Sequence, residues 1–345
     1  MARDASRVPR RVSGSPQLST SRALGRSSAH NGEIEEILEP ELLICDPHHH
    51  LWDRPNLRYM TEDLKADVGS GHRVEKTVFI ECRSGYRETG PEAFRPVGET
   101  EFVVASEPDG LIAGIVSHVD LRIPEVSDVL AAHVDSGRGR FRGIRDISAW
   151  DASDEVRMPT STIPPGLLGD SEFQRGFGEL VRSGFVFDAF LFHPQLPELV
   201  DLARTFPEAP IVLDHIGGPI GVGPYAERRA ETLEAWRHAM EQVAACPNVV
   251  VKLGGIGMPI YGMDWHTRPE GASSEEIAAV WGDEFRWLIE RFGVERCMFE
   301  SNFPVDNASV RYPTLWNAFK RIVADASPAD KTALFYDTAV RTYRL

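Results

Sequence analysis

Apolar residues gather into eight short runs separated by longer stretches with helical spacing. The runs are Leu43–His50, Lys76–Arg83, Leu111–Leu121, Phe141–Ala149, Phe185–Phe192, Ile211–Ile216, Val249–Leu253 and Cys297–Asn302. Short apolar runs bounded by turn residues predict buried strands. Between them, Glu231–Ala245 carries Leu233, Trp236, Met240 and Val243 on one face, which predicts a helix. Ser273 stands three residues before Glu276 at the head of a second helical stretch, the spacing of a capping box. Further helices are predicted over Gln195–Phe206, Leu315–Ala324 and Pro328–Tyr343. Alternating strands and helices imply a parallel sheet with crossover helices. Eight such units fit a single-domain (β/α)8 TIM barrel, the α/β class with a closed ring of strands. The runner-up, an open doubly wound sheet, normally carries a glycine-rich turn after its first strand. Here Cys45-Asp46-Pro47-His48-His49-His50 stands in that place.

Residues 1–32 are rich in Ser, Arg, Gly and Pro and show no periodicity, so they read as a tail, suited to a transit peptide or to an extension without a fixed fold. An acidic linker follows, dividing the chain into a tail and linker over 1–40 and a catalytic domain over 41–345. With 42% hydrophobic and 26% charged residues in 345, there is ample material for a core. No run approaches the eighteen apolar residues of a membrane span, so no membrane partner is expected. The net charge of −15 argues against a nucleic-acid partner, although the first thirty residues hold six arginines against Asp4 alone. Cys45, Cys82, Cys246 and Cys297 are widely spaced, which predicts reduced thiols and a cytoplasmic setting. A homo-oligomer is left open.

In a (β/α)8 barrel the active site forms at the C-terminal ends of the strands. Those ends are polar here. They bring His48 and His50, then Glu81 and Arg83, His118 and Asp120, and Arg142, Arg145 and Asp146. His193 and Gln195, Asp214 and His215, Lys252, and Glu300 and Asn302 complete the ring. Residues two apart on a strand face the same side, so His48 and His50 both face the mouth while His49 faces the helices. Such a pair can share a zinc ion or form interior hydrogen bonds instead. Asp46 is placed to orient an imidazole. His193 and His215 each follow an apolar run and precede a turn, and with the His-x-His pair they outline one pocket.

Asp46-Pro-His48-His49-His50-Leu-Trp52-Asp53, Asp214-His215-Ile-Gly-Gly-Pro219 and Phe299-Glu300-Ser301-Asn302-Phe303-Pro304 together resemble the amidohydrolase superfamily. The likeness is to its branch of metal-dependent TIM-barrel hydrolases related to sugar-acid and 2-pyrone-4,6-dicarboxylate lactonases. It extends from about residue 42 to the C-terminus, through Tyr86-Arg87, Gly98–Phe102, His193–Pro197 and Trp265-His266. The resemblance implies hydrolysis of a lactone, ester or amide by a metal- or base-activated water. It also implies a divalent metal, zinc in the first instance, with His48, His50 and His193 as candidate ligands and His215 as a candidate catalytic residue. Some lactonases of this branch work without metal.

Asn302 departs from the pattern, which has aspartate there, and an amide cannot take a proton from water. Glu300, two residues earlier on the same face, is the favoured replacement base, with Asp306 and His215 the other candidates. Arg83, Arg142, Arg145 and Lys252 at strand ends suggest a small anionic substrate. The same cations would equally pair with Glu81, Asp120 and Asp146. Tyr86 and His266 are candidate substrate contacts in the loops, with Trp52, Tyr261 and Trp265 as walls. Three functions follow from these features: a lactone-opening hydrolase, a decarboxylase or other C–C bond enzyme of the same superfamily, and a non-catalytic barrel that binds a small acid.

Overall fold

The computed structural model describes residues 35–54, 57–157 and 162–345. The tail expected over 1–32 lies outside them. Eight parallel strands follow one another around a barrel in sequence order: β1 Leu43–His49, β2 Arg73–Ile80, β3 Ile112–Ser117, β4 Phe141–Arg145, β5 Val186–Ala189, β6 Ile211–Leu213, β7 Val249–Leu253 and β8 Cys297–Phe299. The ring closes just beyond β8. Asn302 N donates to His48 O at 2.9 Å, and His50 N donates to Phe303 O at 2.7 Å.

The closing seam has its own clamp. Asp46, fully buried, accepts hydrogen bonds through Oδ1 from Ser301 N at 3.0 Å and His48 N at 3.3 Å, and through Oδ2 from the Tyr312 hydroxyl at 3.0 Å. Its carboxylate therefore ties β1 to the segment after β8 rather than orienting an imidazole as expected. The register of β1 against β2 slips between Asp46 and His49. Pro47 has no N–H to give to a ladder, so the pairing breaks there.

The eight strand expectations hold, but most runs outlast their strands at the C-terminal end. Glu81, His118 and Asp146 all lie past their strands, in βα loops. The predicted helices appear as α1 Leu196–Thr205, α2 Arg229–Ala244, α3 Ser274–Phe292 and α4 Tyr312–Ile322. Ser273 caps α3 by accepting from Glu276 N at 3.1 Å. The reciprocal half of the box is missing, because Glu276 is drawn away to Trp265 Nε1 and Arg268. The final predicted helix is three pieces: a short turn over Pro328–Thr332, a π-helical stretch over Ala333–Asp337 and α5 Thr338–Tyr343. A hairpin of Trp52–Arg54 with Leu57–Tyr59 follows β1.

Two apolar layers position the mouth. Outside the strands, Trp236, Trp281, Phe285 and Phe319 pack the helices onto the barrel. Inside it, Cys45, Val78, Val116, Val186, Val212 and Met298 form a plug completed by Ala339 and Tyr343 of α5. The charged groups described next lie above that plug. Among the described residues no helix is long and apolar enough to cross a membrane, and all four cysteines are free thiols.

Candidate active site

Glu300 sits at the centre of the mouth with no exposed surface, and its two oxygens hold two imidazoles. Oε1 is 2.7 Å from His215 Nδ1 and also accepts from His215 N at 3.0 Å; Oε2 is 2.7 Å from His48 Nδ1. Burial alone would raise the Glu300 pKa, but His215 and His48 outweigh it and hold the carboxyl well below its usual range. It is therefore an anion with Oε1 bonded to His215, while Oε2 faces His48 with no hydrogen bond in good geometry among the described residues. Oε1 thereby orients the His215 ring.

A carboxylate can only accept, so His215 donates from Nδ1 and keeps its Nε2 lone pair when neutral. The backbone places this ring by a left-handed turn: His215, Ile216, Gly217 and Gly218 all have positive φ. Such angles are costly for a β-branched residue and persist only where neighbours enforce them. Here Tyr261 O–H donates to His215 O at 2.9 Å, and Trp236 Nε1 donates to Ile216 O at 2.7 Å. The ring then lies against Gly255, where an added Cβ would come within 2.4 Å of His215 Nδ1. Gly255→Ala is expected to tilt the imidazole off Glu300 and lower kcat by about 10²-fold, since misplacements near 1 Å cost that much. Steady-state kinetics check this, and an unaltered kcat would show the ring to be indifferent to its seat.

His48 and His50 meet edge to face at 5.0 Å, and His48 and His215 at 4.5 Å. His50 Nδ1 is 2.8 Å from the carbonyl of Ile80, so it donates there, and burial keeps its pKa well below the ordinary value. The neutral ring keeps a lone pair on Nε2 and stacks on Trp52 at 5.7 Å. His49 points elsewhere, to Thr77 Oγ1 at 2.9 Å.

Behind His48 lie the two cations of the barrel interior. Lys252 Nζ is 2.6 Å from Asp188 Oδ2, 3.0 Å from Asp214 Oδ1 and 3.2 Å from His48 Nδ1. Arg145 is bound by Glu81 through Nε at 3.0 Å and reaches Asp214 Oδ2 and His48 Nε2, each at 3.4 Å. Burial disfavours the Lys252 charge, but Asp188, Asp214 and Glu300 more than reverse that. Asp214 is likewise kept ionised, burial being outweighed by Lys252 and His48. Four buried carboxylates thus face two permanent cations.

That imbalance bears on a metal. His48, Asp214 and His215 each offer a donor atom, and the three atoms lie within 4.8 Å of one another. Asp214 Oδ1 is buried and has no hydrogen bond in good geometry among the described residues. Two imidazoles and a carboxylate beside two uncompensated negative charges fit a divalent ion such as zinc. The expected set of His48, His50 and His193 is not gathered in this way. His193 belongs to a separate corner, where its Nδ1 accepts from Ile220 N at 3.3 Å and its ring packs on Tyr225.

The other expected residues divide. Arg83, exposed and at φ 62°, stands in a cleft of about 180 Å³ with His118, Arg122 and Asp146. Among the described residues the buried Tyr86 hydroxyl and His266 Nδ1 have no hydrogen-bond partner. Arg142 is turned away. It lies at the start of β4, bonded to the carbonyls of Gly139 and Phe141, so its place near the mouth was misread from the length of the run. Asn302 donates from Nδ2 to Asp306 Oδ1 at 2.8 Å and adopts φ 55°, a conformation asparagine tolerates. The second Asp306 oxygen accepts from Gly257 N at 2.8 Å, so neither oxygen of that candidate base is spare.

Glu99 holds the loop that presents Arg83. It is fully buried, and Oε1 accepts from Cys82 N at 3.0 Å and Ser84 N at 2.7 Å. Burial, reinforced by Glu81, pushes its pKa up from 4.5 to about 8. A folded-state pKa above the unfolded one contributes stability that is complete below about 4.5 and lost as pH rises through about 8. Glu99→Gln copies the protonated form and removes that loss. Melting curves are expected to nearly coincide at pH 5 and to separate by about 5 °C in the variant's favour at pH 9, roughly 2 kcal/mol. A gap that does not widen with pH would contradict this.

Sequence reading missed Asp188 and Tyr343. A lone acid inside the apolar run Phe185–Phe192 was the available signal for Asp188, since a buried charge requires a partner. Tyr343 gave none.

A ring of eight parallel strands with imidazoles and carboxylates at its mouth defines an enzyme-like barrel of the (β/α)8 type. The chain belongs to the amidohydrolase family, whose model matches residues 45–345. It is 32% identical over 320 residues to an uncharacterized protein, y4mH, of Sinorhizobium fredii, covering 88% of this chain and 99% of the relative. It is 29% identical over 324 residues to an L-fucono-1,5-lactonase of Burkholderia multivorans, covering 88% and 96%. A crystal structure of an amidohydrolase from Burkholderia multivorans with bound zinc superposes with a TM-score of 0.69 at 26% identity, covering 88% and 99%.

Proposed function

We propose that this enzyme opens a small lactone carrying an anionic group, by attack of water on the ring carbonyl. The observation that carries the reading is Glu300 bridging His48 and His215. A neutral imidazole with its lone pair directed away from a fixed carboxylate is a general base, and Glu300 stabilises the imidazolium formed as His215 takes the proton. Arg83, Tyr86 and His266 are the candidate donors to substrate oxygens. The lactonase among the relatives supports the same substrate class.

Zinc belongs to this reading. His48 and Asp214 would hold it, leaving the His215 Nε2 lone pair for proton transfer, and when bound it would supply Lewis-acid polarisation of a carbonyl. Purified protein is expected to carry about one equivalent of zinc by elemental analysis, and Asp214→Asn to lose it. Metal content below a tenth of an equivalent in protein that is fully active would remove zinc from the account.

The function is tested on a panel of aldonolactones, aromatic lactones, simple esters and amides, with acid release followed by a pH indicator. Ring opening of at least one lactone class is expected. Carbon dioxide release from an aromatic or enoic acid, with no lactone opened, would select the decarboxylase instead.

A further inference from the structure

Tyr343 closes the bottom of the barrel, yet its hydroxyl reaches into the charged centre. The residue is fully buried between α5 and the interior valines. Its O–H donates to Asp188 Oδ2 at 2.7 Å. The same oxygen takes Lys252 Nζ at 2.6 Å, while Asp188 Oδ1 has no hydrogen-bond partner. Lys252 Nζ in turn lies over the Tyr343 ring at 5.5 Å from its centroid. An apolar plug needs only the ring, which phenylalanine would provide without the cost of burying a hydroxyl. The hydroxyl is therefore explained by what it holds.

We propose that Tyr343 is a positioning residue for the reaction, fixing Asp188 so that Lys252 is held at the spot where it meets both Asp214 and His48. This rests on the lactone-opening reading above. The physical reason is the nature of lysine: a flexible four-carbon stem carries a point charge, so acceptors alone decide where the ammonium sits. Asp188 has one bonded oxygen serving two donors. Without the tyrosine, its carboxylate is free to turn about its last torsion, and Lys252 follows it away from Asp214 and His48. His48 shares Glu300 with His215, so the displacement reaches the general base.

The test uses the full chain. Tyr343→Phe keeps the plug and removes one oxygen, and it is expected to lower kcat about tenfold with KM within twofold. Leu345→Ala, which trims another residue packed on the same interior cluster, is expected to lower the melting temperature while leaving kcat unchanged. In an Asp188→Asn background, Tyr343→Phe is expected to add no further loss, because its effect runs through Asp188. An unchanged kcat in Tyr343→Phe, an equal loss in Leu345→Ala, or independent losses in the double variant would each overturn the proposal. If the wild type opens no lactone, a crystal structure of Tyr343→Phe still decides the matter. Lys252 Nζ displaced from Asp214 supports it, and Lys252 unmoved from its wild-type position overturns it.

Discussion

Glu300→Gln is expected to lower kcat for lactone opening by about 10³-fold while KM changes no more than about threefold. The glutamate does two things that an amide cannot do together. It accepts from His215 Nδ1 on Oε1 and keeps a second charged oxygen 2.7 Å from His48 Nδ1. An amide presents one acceptor and one donor, so with its oxygen on His215 it sets an NH2 group, not an anionic oxygen, against His48 and Lys252. The amide also removes the negative charge that stabilises the His215 imidazolium after proton transfer. Neither loss touches the residues expected to hold the ground-state substrate, Arg83, Tyr86 and His266, and so the effect belongs in kcat. Steady-state kinetics across pH separate the two parameters. A variant that loses affinity and keeps kcat would place Glu300 in substrate binding instead.

The fold was legible because its signal is repeated: eight apolar runs with helices between them leave few alternatives to a barrel. Strand ends were less so. His118 and Asp146 continue their runs in composition, but only hydrogen bonding tells where a ladder stops. The same limit misplaced Arg142, which shares a run with Arg145 yet sits three residues nearer the closed end. The site was legible where it depends on local spacing, as in His48 and His50, whose common face follows from the two-residue period. It was not legible where partners come from opposite sides of the barrel. Nothing in the sequence says that the Asp46 carboxylate spans to Ser301 and Tyr312, or that Tyr343 reaches Asp188. Glu300 illustrates the boundary. Its location on the inner face was readable, but its hold on His215 through Oε1 shows only in the folded chain.

His215 is left as the group whose removal matters most. Its ring is held by a carboxylate, a strained turn and a glycine that leaves room for nothing larger. That much structure spent on one imidazole is difficult to explain by packing, which an apolar side chain would serve as well. General-base catalysis by a positioned side chain contributes about 10²–10⁴-fold, and loss of the ring also leaves Glu300 with one partner fewer. The most direct measurement is therefore kcat of His215→Ala on the lactone that the wild type opens fastest, with circular dichroism confirming the fold. A fall of about 10³-fold or more is expected. A folded variant that retains more than about a tenth of the wild-type rate would contradict the role assigned to His215 and, with it, the chemistry proposed for the barrel mouth.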